Sequence, residues 1–261
     1  MRIGIIINPG SGRRSASRHR SMVEQIGADV AADLSLVVYD GSERIESLVS
    51  RMVSTIDILG IVGGDGTLNG AINGVMRSEN PEVPVFFLPA GRGGDTARTL
   101  PALPPNYANV RSFSYRTCKI DLGLLSTQGG ESRYFINESS IGLGAFAARS
   151  ASRLPRKIGS TAYLIGTIAG LFRSPTTDLR LVIDGTGTVE LPGCHHLTVA
   201  NGRYFGAGLQ IAPSASAVDG LLDIIAVADA GAFGIARALP RLLRSTHLSH
   251  PIVRHWKSTG V

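Results

Sequence analysis

Cysteine is nearly absent. Cys118 and Cys194 are the only two in 261 residues, too few for a disulfide framework, so reduced thiols are expected. Lysine is as scarce: Lys119, Lys157 and Lys257 are the only three among 26 basic residues, and arginine supplies the rest of a formal net charge of +6. Aromatic residues make up 6% and no nucleic-acid-binding module is recognisable, which sets nucleic acid aside as a partner. Long apolar runs are missing too. "MRIGIIINPG" is broken at Pro9 and is too short for the apolar core of a signal peptide. "TAYLIGTIAGLF" (161–172) falls short of a membrane span. A soluble, cytoplasmic chain is the expectation. The absence of G-x-x-x-x-G-K-[ST] excludes a P-loop NTPase, and no G-x-S-x-G elbow or Ser-His-Asp order suggests a hydrolase.

What is present is glycine, 32 residues of it, with 13 prolines: many tight turns, in a chain long enough for one large or two modest domains. "RIGIIIN" (2–8), "SLVVYD" (35–40), "DILGIV" (57–62) and "PVFFLPA" (84–90) are apolar runs closed by turn residues, which reads as buried parallel strands. Between them lie segments of helical length. In 43–53, Ile45, Leu48, Val49 and Met52 share one face. The alternation predicts a doubly wound α/β domain over residues 1–125. From 126 to 261 short runs such as "DLRLVIDG", "HLTVANG" and "LLDIIAVA" predict a mostly β second domain. One helical insert is expected near 159–173, and helical spacing returns over 232–244.

Helix-linked parallel strands place ligands at their carboxyl ends, where "NPGSG", "GGDGT" and "AGRGGD" all fall. In "IVGGDGTLNG" (61–70) a buried strand delivers the chain to Gly63-Gly64, where missing side chains allow a phosphate to approach. A helix is predicted after Gly66-Thr67, with Leu68, Ile72, Val75 and Met76 on one face. Its N–H groups favour an anion. Asp65 would repel a phosphate unless Mg²⁺ lay between them, so the carboxylate is expected to organise a metal or its waters from a surface turn. A glycine-rich βα turn with no ligand is the alternative. Arginine's planar fork suits phosphate oxygens, so phosphorylated ligands or an anionic lipid surface are expected partners, unless the arginines only solvate the surface.

"GGDGTLN" (63–69) resembles the signature of the diacylglycerol kinase catalytic family, shared in shorter form with NAD kinases and phosphofructokinases. "INPGSGR" (7–13), "LPAGRGGDTAR" (88–98), "IDLGLL" (120–125), "FINESSIGLGA" (135–145) and "ANGRYFGAGLQIAPSASAVDGLLDI" (200–224) resemble its other blocks, in order. The resemblance implies a kinase of lipid metabolism and phospholipid biosynthesis. It would move the ATP γ-phosphate onto a diacylglycerol-like or sphingoid hydroxyl, with an N-terminal nucleotide domain and a C-terminal β-sandwich. It implies ATP and Mg²⁺ as cofactors, a lipid alcohol as substrate and transient, peripheral contact with an anionic membrane surface, and it leaves a homodimer open.

Carried over by position, the resemblance places Asn8, Gly64, Asp65, Gly66 and Thr67 at the nucleotide, with Leu68, Asn69 and Gly70 completing that turn. Asp65 takes the catalytic role at the metal and phosphates. Gly91, Arg92, Gly93 and Asp95 form the third loop. Asp219 would hold a structural Mg²⁺ with the backbone carbonyls of Ser216 and Leu221, although the Asp-Gly dipeptide also encodes an ordinary turn. The chain departs from the family pattern at Gly70, where Glu is usual, at Arg92, where Thr is common, and at Gly94, where Asn is common. It stops at "HPIVRHWKSTGV" before the family's Asp-Gly-Glu-like turn, so the family's C-terminal segment and its base are expected to be missing. Two other functions stay open at this point: an NAD kinase-like enzyme on a soluble substrate, and a nucleotide- or lipid-binding protein without catalysis.

The remaining constellations are weaker. "GLGAFA" (142–147) fits a dinucleotide fingerprint without its acidic partner and reads as a tight turn. In "CHH" (194–196) adjacent strand residues face opposite ways, so a core cysteine is expected rather than a metal site. "RRSASRHR" (13–20) reads equally as a phosphate or membrane contact and as a solvated helix face. "RLPRK" (153–157) would suit the lip of a lipid entrance.

Overall fold

Four apolar runs become four parallel strands: β1 (Arg2–Ile7), β2 (Asp33–Val38), β3 (Ile58–Gly63) and β4 (Val85–Pro89), in the order β2-β1-β3-β4. The structure, a computed structural model, describes residues 1–11, 21, 23–24, 27–28, 31–91, 93–100, 116–142, 176–185, 187–206, 208–228 and 231–261. β1 and β3 are central, so both of their faces are covered; every residue of β3 is buried, as is all of β1 but Arg2. That is why they read as unbroken apolar runs rather than alternating ones. Ile3, Ile5, Ile7, Ile58, Val62 and Leu88 form one core cluster. The edge strand β2 is only partly covered.

Helix α1 (Ile45–Met52) turns Ile45 and Val49 inward. Helix α2 (Asp65–Met76) buries Leu68, Ile72 and Val75, the face expected from their spacing. A short helix α3 (Asp95–Thr99) follows β4. Sequential strands leave β1 in opposite directions, β2 to one side and β3 to the other, so the switch point of the sheet lies between the carboxyl ends of β1 and β3.

The chain divides into two units, Met1–Lys119 with Ser126–Tyr134, and Ile120–Leu125 with Phe135–Val261. It passes between them three times, after Lys119 and within the short strands β5 (Gly123–Ser126) and β6 (Ser132–Phe135). The second unit is built on an antiparallel sheet of β7 (Glu138–Gly142), β10 (His196–Ala200), β13 (Leu222–Val227) and β14 (Val253–Ser258), ordered β14-β13-β10-β7. The hairpin of β8 (Thr177–Ile183) and β9 (Gly187–Cys194) covers one face, packing Leu181 and Leu191 on Leu197, Ile224 and Ala226. On the other face Ile211, Ala212 and Ala215 pack on Ala200 and Ile225. β11 (Tyr204–Phe205) and β12 (Leu209–Gln210) form a small ladder, and helix α4 (Ala232–Leu243) lies where helical spacing was expected. The fold is thus an α/β unit followed by a mostly β one. Among the described residues no helix is long and apolar enough to cross a membrane.

Candidate functional site

The site grows from three strand ends. At the end of β1 the Asn8 N–H donates to the Val62 carbonyl (2.9 Å), which locks the first loop onto β3. Its side chain then works in both directions: Oδ1 accepts the Gly10 N–H (2.9 Å), closing the Asn-Pro-Gly turn, and Nδ2 donates to Thr67 Oγ1 (2.8 Å) in the first turn of α2. Ser11 Oγ lies 3.4 Å from the same hydroxyl. The loop after β3 is tied to the loop after β4 through the Gly63 carbonyl, which accepts the N–H groups of Ala90 (2.7 Å) and Gly91 (3.1 Å).

The glycines here serve loop against loop. A Cβ on Gly91 would lie 2.5 Å from Gly64 Cα, and one on Gly93 would lie 2.9 Å from Asp65 Oδ2. The expectation was that missing side chains at Gly63-Gly64 admit a ligand. Instead a Cβ on Gly63 would strike the Thr67 side chain at 2.8 Å. Gly66 differs: it is exposed, and nothing stands within 4 Å of where its Cβ would be. Because the N-cap of α2 is Gly64, no side chain caps that helix. Its first-turn N–H groups are therefore left without a capping side chain, the arrangement that accepts an anion.

Asp65 was expected to be a metal-directing carboxylate on a surface turn. The structure gives it a second task. Oδ2 accepts the N–H groups of Gly94 (2.9 Å) and Asp95 (3.3 Å), and Oδ1 accepts that of Thr96 (3.0 Å). The carboxylate thus closes the N-terminus of α3 from 29 to 31 residues away and fixes the third loop against the second. Three of its roughly four lone-pair positions are used, leaving one unassigned. Asp95, 7% exposed, pairs with Arg98 (3.0 Å), whose guanidinium also donates to the Gly93 carbonyl. Thr96 is buried, and its Oγ1 has no hydrogen-bond partner among the described residues.

Of the residues assigned to the nucleotide, Asn8, Gly64, Asp65, Thr67, Gly91, Gly93 and Asp95 therefore come together by direct bonds or backbone contact, and Gly66 faces the open side. Leu68 lies in the core, 2% exposed, and its N–H donates to the Gly64 carbonyl (3.0 Å). Gly70 is turned toward α1, where a Cβ would lie 2.5 Å from Ile45. The Asn69 carbonyl accepts from Asn73 Nδ2 (2.8 Å). Arg92, the run 13–20, residues 143–147 of "GLGAFA", "RLPRK" and the segment 159–173 lie outside the described residues. Sequence reasoning gave no role to Ser11, Thr96 or Arg98, although they lie within the stretches 7–13 and 88–98 that it singled out.

Asp219, in the second unit, sits in the Asp-Gly turn, with Gly220 at φ +72°. The turn is anchored by Asp121, whose Oδ2 accepts the Gly220 N–H (2.8 Å) and whose own N–H donates to the Ala217 carbonyl (2.7 Å). Asp219 Oδ1 accepts the Leu221 N–H (3.2 Å), while the Lys257 ammonium stands 3.6 Å from Oδ2 and donates to the Ser214 carbonyl (3.0 Å). The same ammonium is 3.4 Å from Asp223, a buried carboxylate whose Oδ1 is bonded to Ser214 Oγ and His255 Nε2, both at 2.8 Å. Among the described residues no group of three or more His, Cys, Asp or Glu could hold a metal. The Lys257 ammonium thus places a positive charge beside Asp219, the carboxylate that the family resemblance assigns to Mg²⁺ with the carbonyls of Ser216 and Leu221.

In "CHH" the Cys194 thiol is buried and donates to the His196 carbonyl (3.4 Å), and burial pushes its pKa up. Burial pushes the His196 imidazole down to about 4, against a weaker opposing bond to the Ile141 backbone. Cys194 is thus a core residue, as expected, and His196 is buried beside it.

Residues 2–124 match the diacylglycerol kinase catalytic domain, and residues 137–261 match the YegS C-terminal NAD kinase beta sandwich-like domain. A diacylglycerol kinase of Mycobacterium tuberculosis is 28% identical over 256 residues, covering 95% of this chain and 80% of the relative. One from Staphylococcus aureus is 27% identical over 269 residues, covering 100% and 81%. The crystal structure of a diacylglycerol kinase from Bacillus anthracis has the same fold, with a TM-score of 0.75 at 23% identity over 98% of this chain and 83% of that one. With both halves matched in order along nearly the whole chain, the protein belongs to the diacylglycerol kinase catalytic-domain family.

Proposed function

We propose that this chain is a lipid kinase that uses ATP and Mg²⁺ to phosphorylate the hydroxyl of a diacylglycerol-like or sphingoid alcohol. One observation carries the reading: three loops at the switch point of a parallel sheet are bonded to one another around the uncapped N-terminus of α2 and the exposed Gly66. Phosphoryl transfer asks a protein mainly for positioning and charge neutralisation. Asn8 and Thr67 hold the first two loops in register, and Asp65 holds the third. The orphaned Thr96 hydroxyl and the first-turn N–H groups of α2 offer donors to a nucleotide phosphate. The remaining lone pair of Asp65 would face Mg²⁺ or one of its waters. When bound, ATP–Mg²⁺ would supply the γ-phosphoryl group to the lipid hydroxyl, with ADP as the leaving product and the hydroxyl proton released to solvent.

The test is transfer of label from γ-labelled ATP in the presence of Mg²⁺ to diacylglycerol, to sphingosine and to NAD, each offered separately. Labelled lipid phosphate is the expected product. Label on NAD alone would favour a soluble-substrate kinase, and ATP binding without transfer to any acceptor would favour a binding protein.

A further inference from the structure

Charge along this chain is uneven at one end. After Asp229 no acidic residue occurs, while Arg237, Arg241, Arg244, Arg254 and Lys257 all follow. Three of these five lie on or directly after α4. The helix buries Ile235 and Ala238 and packs Leu242 on the core beneath the sheet. Its opposite face is open: Phe233 is 75% exposed and Leu243 56%, and Ala236, Arg237, Pro240, Arg241 and Arg244 are exposed as well. At about 100° per residue this outer face spans roughly 160° of arc. Leu243, Ala236, Pro240 and Phe233 occupy one side of it, and Arg244, Arg237 and Arg241 the other. The Arg237 guanidinium lies 5.6 Å from the centroid of the Phe233 ring. None of the three arginines has a carboxylate partner among the described residues.

Single exposed apolar side chains are ordinary. A phenylalanine and a leucine beside three uncompensated arginines on one helix face are a different matter, because that pairing is what lies flat in a headgroup layer. The apolar side chains enter the acyl boundary while the guanidiniums stay at the phosphates, their stems running along the interface. Charge also argues against a second copy of the chain as occupant, since two such faces would bring six arginines together. We propose that the outer face of α4 docks the protein on an anionic bilayer, with Phe233 inserted and Arg237, Arg241 and Arg244 on lipid phosphates. The proposal rests on the lipid-kinase reading only for why a bilayer should be met, since that substrate resides there; docking itself can be measured without turnover.

The experiment is sedimentation of the full chain with vesicles of phosphatidylcholine alone or with one third phosphatidylglycerol. Binding is expected only with phosphatidylglycerol, and it should weaken as salt is added. Replacing Arg237, Arg241 and Arg244 by Gln should lower partitioning about 100-fold, at roughly fivefold per arginine. A control loses the same charge elsewhere, at the exposed Arg2, Arg44 and Arg180, and should stay within about threefold of the unaltered chain. Phe233→Ser keeps the charge and should still cut binding about tenfold, through the apolar area no longer buried. Equal losses in the two triple variants, or unchanged binding of Phe233→Ser, would overturn the proposal. So would a dimer that Phe233→Ser dissolves while vesicle binding persists. Transfer to a short-chain diacylglycerol without vesicles separates the two readings. If no acceptor is labelled but α4-dependent docking holds, the kinase reading fails alone; if transfer is unaffected and docking is absent, this proposal fails alone.

Discussion

Both oxygens of Asp65 are engaged by backbone N–H groups of residues 94–96, so this carboxylate cannot be altered without disturbing the loop it holds. An asparagine there keeps one acceptor and turns an NH₂ group toward at least one N–H donor. Leaving such a donor unpaired costs about 1–3 kcal/mol. Asp65→Asn is therefore expected to lose phosphoryl transfer and also to melt lower, by roughly 2–4 °C per kcal/mol for a chain of this size. Differential scanning fluorimetry beside the transfer assay checks both. An inactive variant with an unchanged melting temperature would assign Asp65 to the metal and phosphates alone. The loss of fold stability is what the sequence could not announce, because backbone N–H groups 29 residues away leave no signature in a motif. The motif identified the carboxylate and not its partners.

Helix α2 carries the first-turn amides of the site, and its position is set by how closely it packs on α1. At Gly74 a Cβ would stand 2.6 Å from the Glu46 carbonyl oxygen, and that oxygen is backbone. Gly74→Ala gains about 1 kcal/mol of helix propensity, but forcing the two helices apart costs about 1–3 kcal/mol. The expected result is a lower urea midpoint and weaker ATP binding, although residue 74 touches no loop of the site. A raised midpoint would mean that α2 slides off α1 freely. The same packing accounts for Gly70, where a Cβ would lie 2.5 Å from Ile45. The parallel strands were legible because a strand buried on both faces has to be written as a continuous apolar run. The Asp223, His255 and Lys257 cluster was not, since its members meet only through the β13–β14 register.

Across the whole molecule, stability should depend on pH through buried histidines. His196 in the folded chain titrates near 4 because burial disfavours its charged form, against 6.5 for an unperturbed imidazole. His247 is shifted the same way, chiefly by burial, with its bond to the Ile211 backbone opposing and nearby His255 adding a smaller push downward. Both pKa values are lowered on folding, so below 6.5 the unfolded chain binds more protons. The stability these groups allow is fully present above 6.5 and falls as the pH drops toward 4. For His196 alone the loss is about 3 kcal/mol. Urea unfolding followed from about pH 7 to about pH 4 should show this decline, and His196→Gln should flatten it. A profile that stays level over that range would mean that His196 is charged in the fold.

The central claim is that the three bonded loops form a nucleotide site, and Gly91 tests it most directly. A Cβ there would lie 2.5 Å from Gly64 Cα, a backbone atom that cannot turn aside. Gly91→Ala must therefore part the second and third loops, while leaving the strands beneath them paired. The measurement is calorimetric titration of ATP with Mg²⁺ into the unaltered chain and into Gly91→Ala, with circular dichroism to confirm that the fold persists. The account predicts that the unaltered chain binds ATP and that Gly91→Ala binds it at least about tenfold more weakly, a difference of about 1.4 kcal/mol. Equal affinity in the two proteins, or no ATP binding by the unaltered chain, would contradict it.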